Sequence, residues 1–459
     1  MKQRTFTNSQ IINGTAFGFS AAFLVAAFLA ALYTGEWGSV FKNWILILTS
    51  PCPLVTDYYG LGGLASTMLN AGACGMACFL AMVLLKGEST ANTLAGYFLV
   101  VAHCFYGLNF LNMWPCFLAP LLYFRWKKMN FKANIHLCMF ATAFGPFISE
   151  LLFRYTLGDS YSFGTVNLTL EGIAVTVGFA LILGFVIPAI LPGAKGWHKG
   201  HNLYNAGIAF GIFAFFVFSF MYKTMGITPP AVYNRPNEIY DSFNRSYALF
   251  VTVFFMIVFL LCIGIGYWLN KNSFSGYGTL LKDTGHSSDF ASKYGMPLCL
   301  VNIGVYGMMF LAYLNIVIRL TDGAGFTGPT TGVILAALTF SAMGQHPKNV
   351  WPILGGYVLL YIIMLFFCQI NGREIPWTLS TQGYINAIAF ATGLCPITGR
   401  YGIRAGLASG LVCAAICTST RDLHGGFLLY NGGFTAGVAA LVILPILEHY
   451  IPNAREEMK

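Results

Sequence analysis

The chain has 459 residues, of which 57% are hydrophobic and only 9% charged. Soluble proteins carry about 25% charged residues, so a water-soluble fold could not clothe its surface and is excluded. The net charge of +9 does not point to nucleic acid, because the basic residues sit mainly in short loops between apolar runs, the pattern of topology control.

Residues 16–33 and 248–269 lack any Asp, Glu, Lys or Arg, and a spanning helix needs roughly 20 such residues. Apolar runs predict spans near 14–33, 62–85, 133–153, 169–193 and 203–222, then 247–269, 295–318, 383–399, 403–420 and 428–447. Residues 40–48 are apolar but too short to cross, and they end at Ser50-Pro51-Cys52-Pro53. Residues 94–124 are interrupted by Gly107 to Asn112 before Trp114-Pro115, and residues 330–368 by Gly344 to Asn349 before Trp351-Pro352. Each reads as two half-helices meeting at a polar elbow. One reading is a re-entrant hairpin, because irregular backbone at membrane depth survives only where it lines a cavity or is buried in protein. The other is a pair of ordinary short helices with a surface loop, which Lys348 would suit. Thr228-Pro229-Pro230 and Asn234-Arg235-Pro236-Asn237 mark an irregular linker.

The chain contains its own pattern twice. Tyr204-Asn205-Ala206-Gly207 recurs as Tyr430-Asn431-Gly432-Gly433, and His198 and Leu203 recur at the same spacing as His424 and Leu429. Asp57, Gly63, Asn70, Gly72 and Gly75 match Asp289, Gly295, Asn302, Gly304 and Gly307. Gly107, Asn112, Trp114 and Pro115 match Gly344, Asn349, Trp351 and Pro352, while Ala141, Thr142 and Pro146 match Ala391, Thr392 and Pro396. The expected fold is therefore an all-α polytopic membrane protein of about ten transmembrane helices plus re-entrant half-helices. A first repeat covers 1–225, a linker 226–246 and a second repeat 247–459. Five spans per copy is an odd number, so the second copy enters from the opposite side and the repeats are inverted. With both termini cytoplasmic, most basic residues fall on inner segments, among them Lys2, Arg4, Lys86, Arg125, Lys132 and Lys459.

Candidate functional residues follow from these repeats. Asn is a good helix N-cap and Pro fits the first turn, so Asn112 and Asn349 are expected to start half-helices deep in the membrane. Free N–H groups there favour an anionic or hydrogen-accepting solute and disfavour bare cations. The structural alternative is an ordinary capped helix with Trp114 and Trp351 as interfacial anchors. His103 and His346, near the elbows, are candidates for solute contact or proton relay, with a hydrogen-bonded structural role as the alternative that fits them better. Asn70 and Asn302 precede small residues that allow close helix approach, so they either bond across that contact or meet the solute near the midplane. Asp57, Asp289 and Glu150 are candidates for proton or sodium coupling, with helix capping or snorkelling as the alternatives. Glu150 and Arg400 occupy equivalent positions, but inverted halves would keep them on opposite faces and unpaired. The Tyr-Asn pairs at 204–205 and 430–431 read as capping or packing. Cys74/Cys78 and Cys413/Cys417 are spaced as helical neighbours. There is no CxxC or Cys/His set for a metal, so no cofactor is expected. Nor is there an HExxH, GxSxG, Walker or GxGxxG motif.

The repeated Asn-Gly blocks and Trp-Pro elbows resemble a bacterial membrane family known only as a two-copy domain of unknown function, the one numbered 1576. The resemblance covers nearly the whole chain, implies a bacterial inner membrane setting and carries no activity with it. Five spans plus a re-entrant element per inverted half is also distantly similar to the architecture of urea channels, although their sequence signatures are not evident, and fold does not fix function. The expected function is a bilayer-embedded transporter or channel for a small polar or anionic solute, its site at the interface of the repeats. The rival is a membrane-embedded enzyme or scaffold subunit without a through-pathway. Gly-rich faces would also allow a homo-oligomer.

Overall fold

A computed structural model describes residues 6–84, 89–230 and 238–458. Lys2, Arg4, Lys86 and Lys459, invoked above for topology, lie outside the described residues, as does the 231–237 portion of the expected linker.

The first copy runs through α1 (Asn8–Thr34), α2 (Val40–Thr49), α3 (Tyr58–Leu84), α4 (Ala91–His103), α5 (Met113–Lys127), α6 (Ile135–Ala141), α7 (Gly145–Phe153), α8 (Leu170–His198) and α9 (Asn205–Phe218). The second contains α10 (Glu238–Leu269), α11 (Tyr277–Leu280), α12 (Phe290–Lys293), α13 (Met296–Leu320), α14 (Gly328–Ala337), α15 (Pro347–Ile370), α16 (Gln382–Ala391), α17 (Cys395–Tyr401), α18 (Ile403–Leu423) and α19 (Asn431–Tyr450). Among the described residues, ten helices are long and apolar enough to cross a membrane. The protein is a polytopic helical membrane protein.

Two expectations shift. Residues 383–399 do not form one rod: a 3-10 turn at Thr392–Leu394 divides α16 from α17, just as Thr142–Phe144 divides α6 from α7. Ile135–Phe153 still counts among the ten despite its turn, whereas in the second copy the place of 383–399 is taken by Pro347–Ile370, whose 24 residues compare with 15 in its counterpart α5. The linker is also shorter than expected. Helix α10 begins at Glu238, and its polar first turns hide it from a reading based on hydropathy.

Local chemistry sets the helix ends. Thr7 and Gln10 form a reciprocal capping box at the start of α1, and Gly35 stops that helix in the left-handed conformation. The repeated glycines seat helix pairs. A Cβ on Gly72 of α3 would come within 2.8 Å of Leu24 on α1, and one on Gly304 of α13 within 2.5 Å of the Phe259 carbonyl on α10. Backbones approach this closely only where side chains are absent. Equivalent pairs pack alike in the two copies: α1 on α3 as α10 on α13, α5 on α8 as α15 on α18, and α8 on α9 as α18 on α19. Two helices pack on their own counterparts, α4 on α14 and α9 on α19. The last contact is tight enough that a Cβ on Gly207 would overlap the backbone of Gly433.

Candidate functional site: two vestibules and an aromatic septum

The chain is broken at both elbows, over residues 104–112 and 338–346. Each break leaves helix-end carbonyls and N–H groups that need partners. The buried asparagines supply them, in matching fashion. Asn70 Nδ2 donates to the carbonyls of Cys104 (2.8 Å) and Leu108 (3.0 Å). Asn302 Nδ2 donates to those of Ser341 (2.8 Å) and Gln345 (2.7 Å), the equivalent pair. Asn112 accepts from the Asn109 N–H (2.8 Å) and donates to the Gly107 carbonyl (3.0 Å) and to Ser149 Oγ (2.9 Å). Asn349 accepts from the His346 N–H (3.0 Å) and donates to the Gly344 carbonyl (2.8 Å). These four amides hold backbone together.

The capping expectation for the elbows needs correcting. Asn112 occupies the N-cap position of α5 without a side-chain cap bond, since its amide turns back into the elbow. Asn349 lies inside α15, whose N-cap is His346. His346 Nδ1 accepts from the Asn349 N–H (3.3 Å) and its Nε2 donates to the Asp283 carbonyl (2.9 Å).

The three candidate carboxylates go separate ways. Asp57 Oδ1 accepts from the N–H groups of Tyr59 (2.8 Å) and Gly328 (2.9 Å), tying the start of α3 to the start of α14. Asp289 is exposed and caps α12 through the Ser292 N–H (3.1 Å). Glu150 is buried and paired with Arg154 at 2.7 Å, and it accepts from the Tyr222 hydroxyl at 2.8 Å. Arg400, as expected, is elsewhere, with Nη1 3.4 Å from His286 Nδ1. Asp283, not nominated from the sequence, sits in the loop before α12 and pairs with Lys293 at 2.7 Å. Burial pushes its carboxyl up, but the bonds from Lys293, the Gly285 N–H and Tyr294 outweigh that and hold it below the ordinary carboxylate value.

None of these residues lines either of two cavities that the duplication builds from equivalent positions. The first vestibule, about 450 Å³, is walled by His136, Leu137, Lys195, Leu203, Asn205 and Ala206. The second, about 170 Å³, is walled by Asn386, Ala387, Arg421, Leu429, Asn431 and Gly432. Each of these six positions in one is the repeat counterpart of a position in the other. Each wall also borrows from the other copy, with Phe340 and Met343 in the first and Leu54 and Tyr106 in the second.

A packed aromatic layer joins the two cavity walls. The Tyr204 ring lies 4.6 Å from Phe340 and 5.2 Å from Phe390. The His103 ring lies 5.3 Å from Tyr430, 5.2 Å from Tyr106 and 5.7 Å from Phe390. Helices α9 and α19 begin at this layer, each held by a reciprocal bond to the other copy. The Leu203 N–H donates to the Gly393 carbonyl (2.9 Å) and the Leu429 N–H to the equivalent Ala143 carbonyl (3.0 Å). The sequence signal for this site was the Tyr-Asn repeat itself, read as capping or packing.

The vestibules differ in one equivalent pair. His424 Nε2 lies 2.9 Å from Asn431 Oδ1, whereas His198 Nε2 and Asn205 Oδ1 have no hydrogen-bond partner among the described residues. Arg421 donates to the Leu54 carbonyl at 2.8 Å, while its counterpart Lys195 is exposed.

A family model described as a protein of unknown function (DUF1576) matches the chain twice, over residues 37–223 and 269–449. The two matches cover well over half of the sequence, and the chain belongs to that family. No curated protein and no solved structure matches the chain, so the architectural likeness to urea channels gains no support from that side.

Proposed function

We propose that this member of the DUF1576 family is a transporter or channel that carries a small polar or anionic solute across a bacterial inner membrane. The observation that carries the reading is the pair of vestibules, built from equivalent residues of the two copies and meeting at one aromatic septum. Such duplication builds a pathway at the interface of two halves.

Contacts at the helix ends support an inverted arrangement. Helices α8 and α9 are consecutive and packed together, so their C-terminal ends point to opposite sides. Lys199, just past α8, pairs at 2.7 Å with Glu448 near the end of α19. Tyr222, past the end of α9, stacks on Phe427, just past α18, at 5.5 Å. By this reading α9 and α19 start back to back at the septum and leave by opposite faces. The short helices α4 and α14, with 13 and 10 residues, reach only about 20 and 15 Å at 1.5 Å per residue, which suits re-entrant elements. Both termini are placed in the cytoplasm by the loop charges.

The chemistry offered to a solute is one-sided. In the first vestibule Lys195 and the start of α9 meet the solute with positive potential; in the second, Arg421 is paired at 3.3 Å with Asp422, which shares the wall, so the anion-attracting charge belongs to the first. The reading is of conduction rather than catalysis, with the solute shedding part of its water between the vestibules.

The test is stopped-flow solute uptake into proteoliposomes, using nitrate, formate, phosphate, urea and glycerol. At least one should enter faster than into protein-free vesicles, and Lys195→Glu should slow the anions more than the neutral solutes. A folded, reconstituted protein that passes none of them sinks the reading.

A further inference from the structure

We infer that His103 is a proton-binding site placed between the two vestibules, so that solute movement is coupled to a proton. The inference rests on the transport reading above and names its coupling ion.

A neutral imidazole has one N–H donor and one acceptor nitrogen, whereas the imidazolium has two donors. Two other buried histidines are served by the neutral form. His346 accepts at Nδ1 from the Asn349 N–H and donates at Nε2 to the Asp283 carbonyl. His424 accepts at Nδ1 from the Leu428 N–H (3.4 Å), leaving Nε2 to donate to Asn431. His103 is different. Its Nδ1 lies 2.6 Å from the Leu99 carbonyl and its Nε2 lies 3.1 Å from the Leu429 carbonyl. Both partners are acceptors only. The neutral ring leaves one nitrogen lone pair aimed at a carbonyl oxygen; the protonated ring satisfies both.

The surroundings favour the cation in two further ways. His103 is the last residue of α4, where the helix dipole is negative and stabilises a positive charge. The rings of Tyr106 and Tyr430 lie against it, and aromatic faces attract cations. Opposing this, the side chain is buried, and no carboxylate compensates it from the helices packed on α4. Helices α1, α3, α6 and α14 contain no Asp, Glu, Lys or Arg. Their titratable groups are Tyr33 on α1, Tyr58, Tyr59, Cys74 and Cys78 on α3, and His136 and Cys138 on α6. From α16 comes Phe390, and from the start of α19 only Tyr430. The balance is therefore one that a rearrangement of either carbonyl would tip.

Position gives the proton its consequence. Leu99 lines the first vestibule and Leu429 the second; the Nδ1 bond stays within α4, and the Nε2 bond to Leu429 is the one that joins the two walls. The protonated ring holds both at once, whereas a neutral ring with its proton on Nδ1 lets go of Leu429. The repeat counterpart of His103 is Phe340, which cannot take a proton, and the carbonyl equivalent to Leu99, that of Ala336, is bonded by the Tyr204 hydroxyl. At this layer the asymmetry leaves one ring that can take a proton.

Two measurements decide the matter. Protein labelled with 15N-histidine in lipid nanodiscs, titrated by NMR from about pH 8 to about pH 5, should show an imidazole with both nitrogens protonated. That signal should be missing in His103→Phe, which installs the residue found at the counterpart position. A His103 signal that stays neutral over the whole titration overturns the inference. The second measurement loads proteoliposomes with a pH dye and applies gradients of nitrate, formate and phosphate. Wild type should acidify or alkalinise with the solute it carries, and His103→Phe should carry solute with the proton signal reduced to that of protein-free vesicles. His103→Gln, which keeps one donor, should behave as His103→Phe does. Solute movement without proton movement in wild type overturns the coupling and leaves the transport reading intact, whereas absence of all solute movement removes the reading beneath it.

Discussion

The two vestibules descend from the same residues, yet one is about 450 Å³ and the other about 170 Å³. Lys195 corresponds to Arg421 and Asn205 to Asn431, but Asp422 of the smaller wall corresponds to Gly196. Bonding differs as well. In the smaller cavity His424 holds Asn431 at 2.9 Å and Arg421 is tied to Leu54 and Asp422; in the larger the counterpart pair His198 and Asn205 is held more loosely. The comparison teaches that repeated residues at matching places support two different bonding arrangements within one chain.

The strongest way to break the comparison is to remove the contact both cavities depend on. Gly207→Val would drive a side chain into the Gly433 backbone. The expected cost is about 3 kcal/mol, seen as loss of monodisperse protein in detergent after mild heating. Next in size are the elbows. Asn70→Ala and Asn302→Ala each strip two buried carbonyls of a donor, at an expected cost of about 2–4 kcal/mol. Asn70→Ala should melt lower than Asn302→Ala, because Asn70 also accepts from the Phe110 N–H at 3.1 Å, a bond that Pro347 cannot make in the second copy; equal melting would show that the extra bond carries no load. The smallest effect sharpens the comparison directly. Asn431→Ala should loosen the smaller vestibule and raise the reactivity of Cys417, which lines it, toward a methanethiosulfonate reagent. Asn205→Ala should leave that reactivity unchanged, since Asn205 lines the other vestibule.

Much of the fold could be read in the chain because duplication and hydropathy are local signals. The glycine pairs at 72/75 and 304/307 pointed to close helix contacts, and these are the contacts formed. The elbows were visible because a polar run inside an apolar one has few explanations. Their asparagines were harder to interpret. An amide beside a helix break serves a solute or a stray carbonyl equally well on paper, and only three-dimensional proximity assigns Asn70 to Cys104 and Leu108. The vestibules were out of reach for another reason. Each is walled by segments from both copies, and its most telling repeat, Tyr-Asn, also fits simple capping. His103 was noticed for its place near an elbow. Its distinction, two acceptors at once, depends on Leu429, 326 positions away.

The crossed bonds from Leu203 to Gly393 and from Leu429 to Ala143 have a consequence for biogenesis. The early half of the chain leaves the ribosome with Ala143 lacking its donor and Leu203 lacking its acceptor. It can insert, but it cannot finish. Completion waits for residues made last, so the first half alone should be cleaved faster by added protease than the same residues in the whole chain.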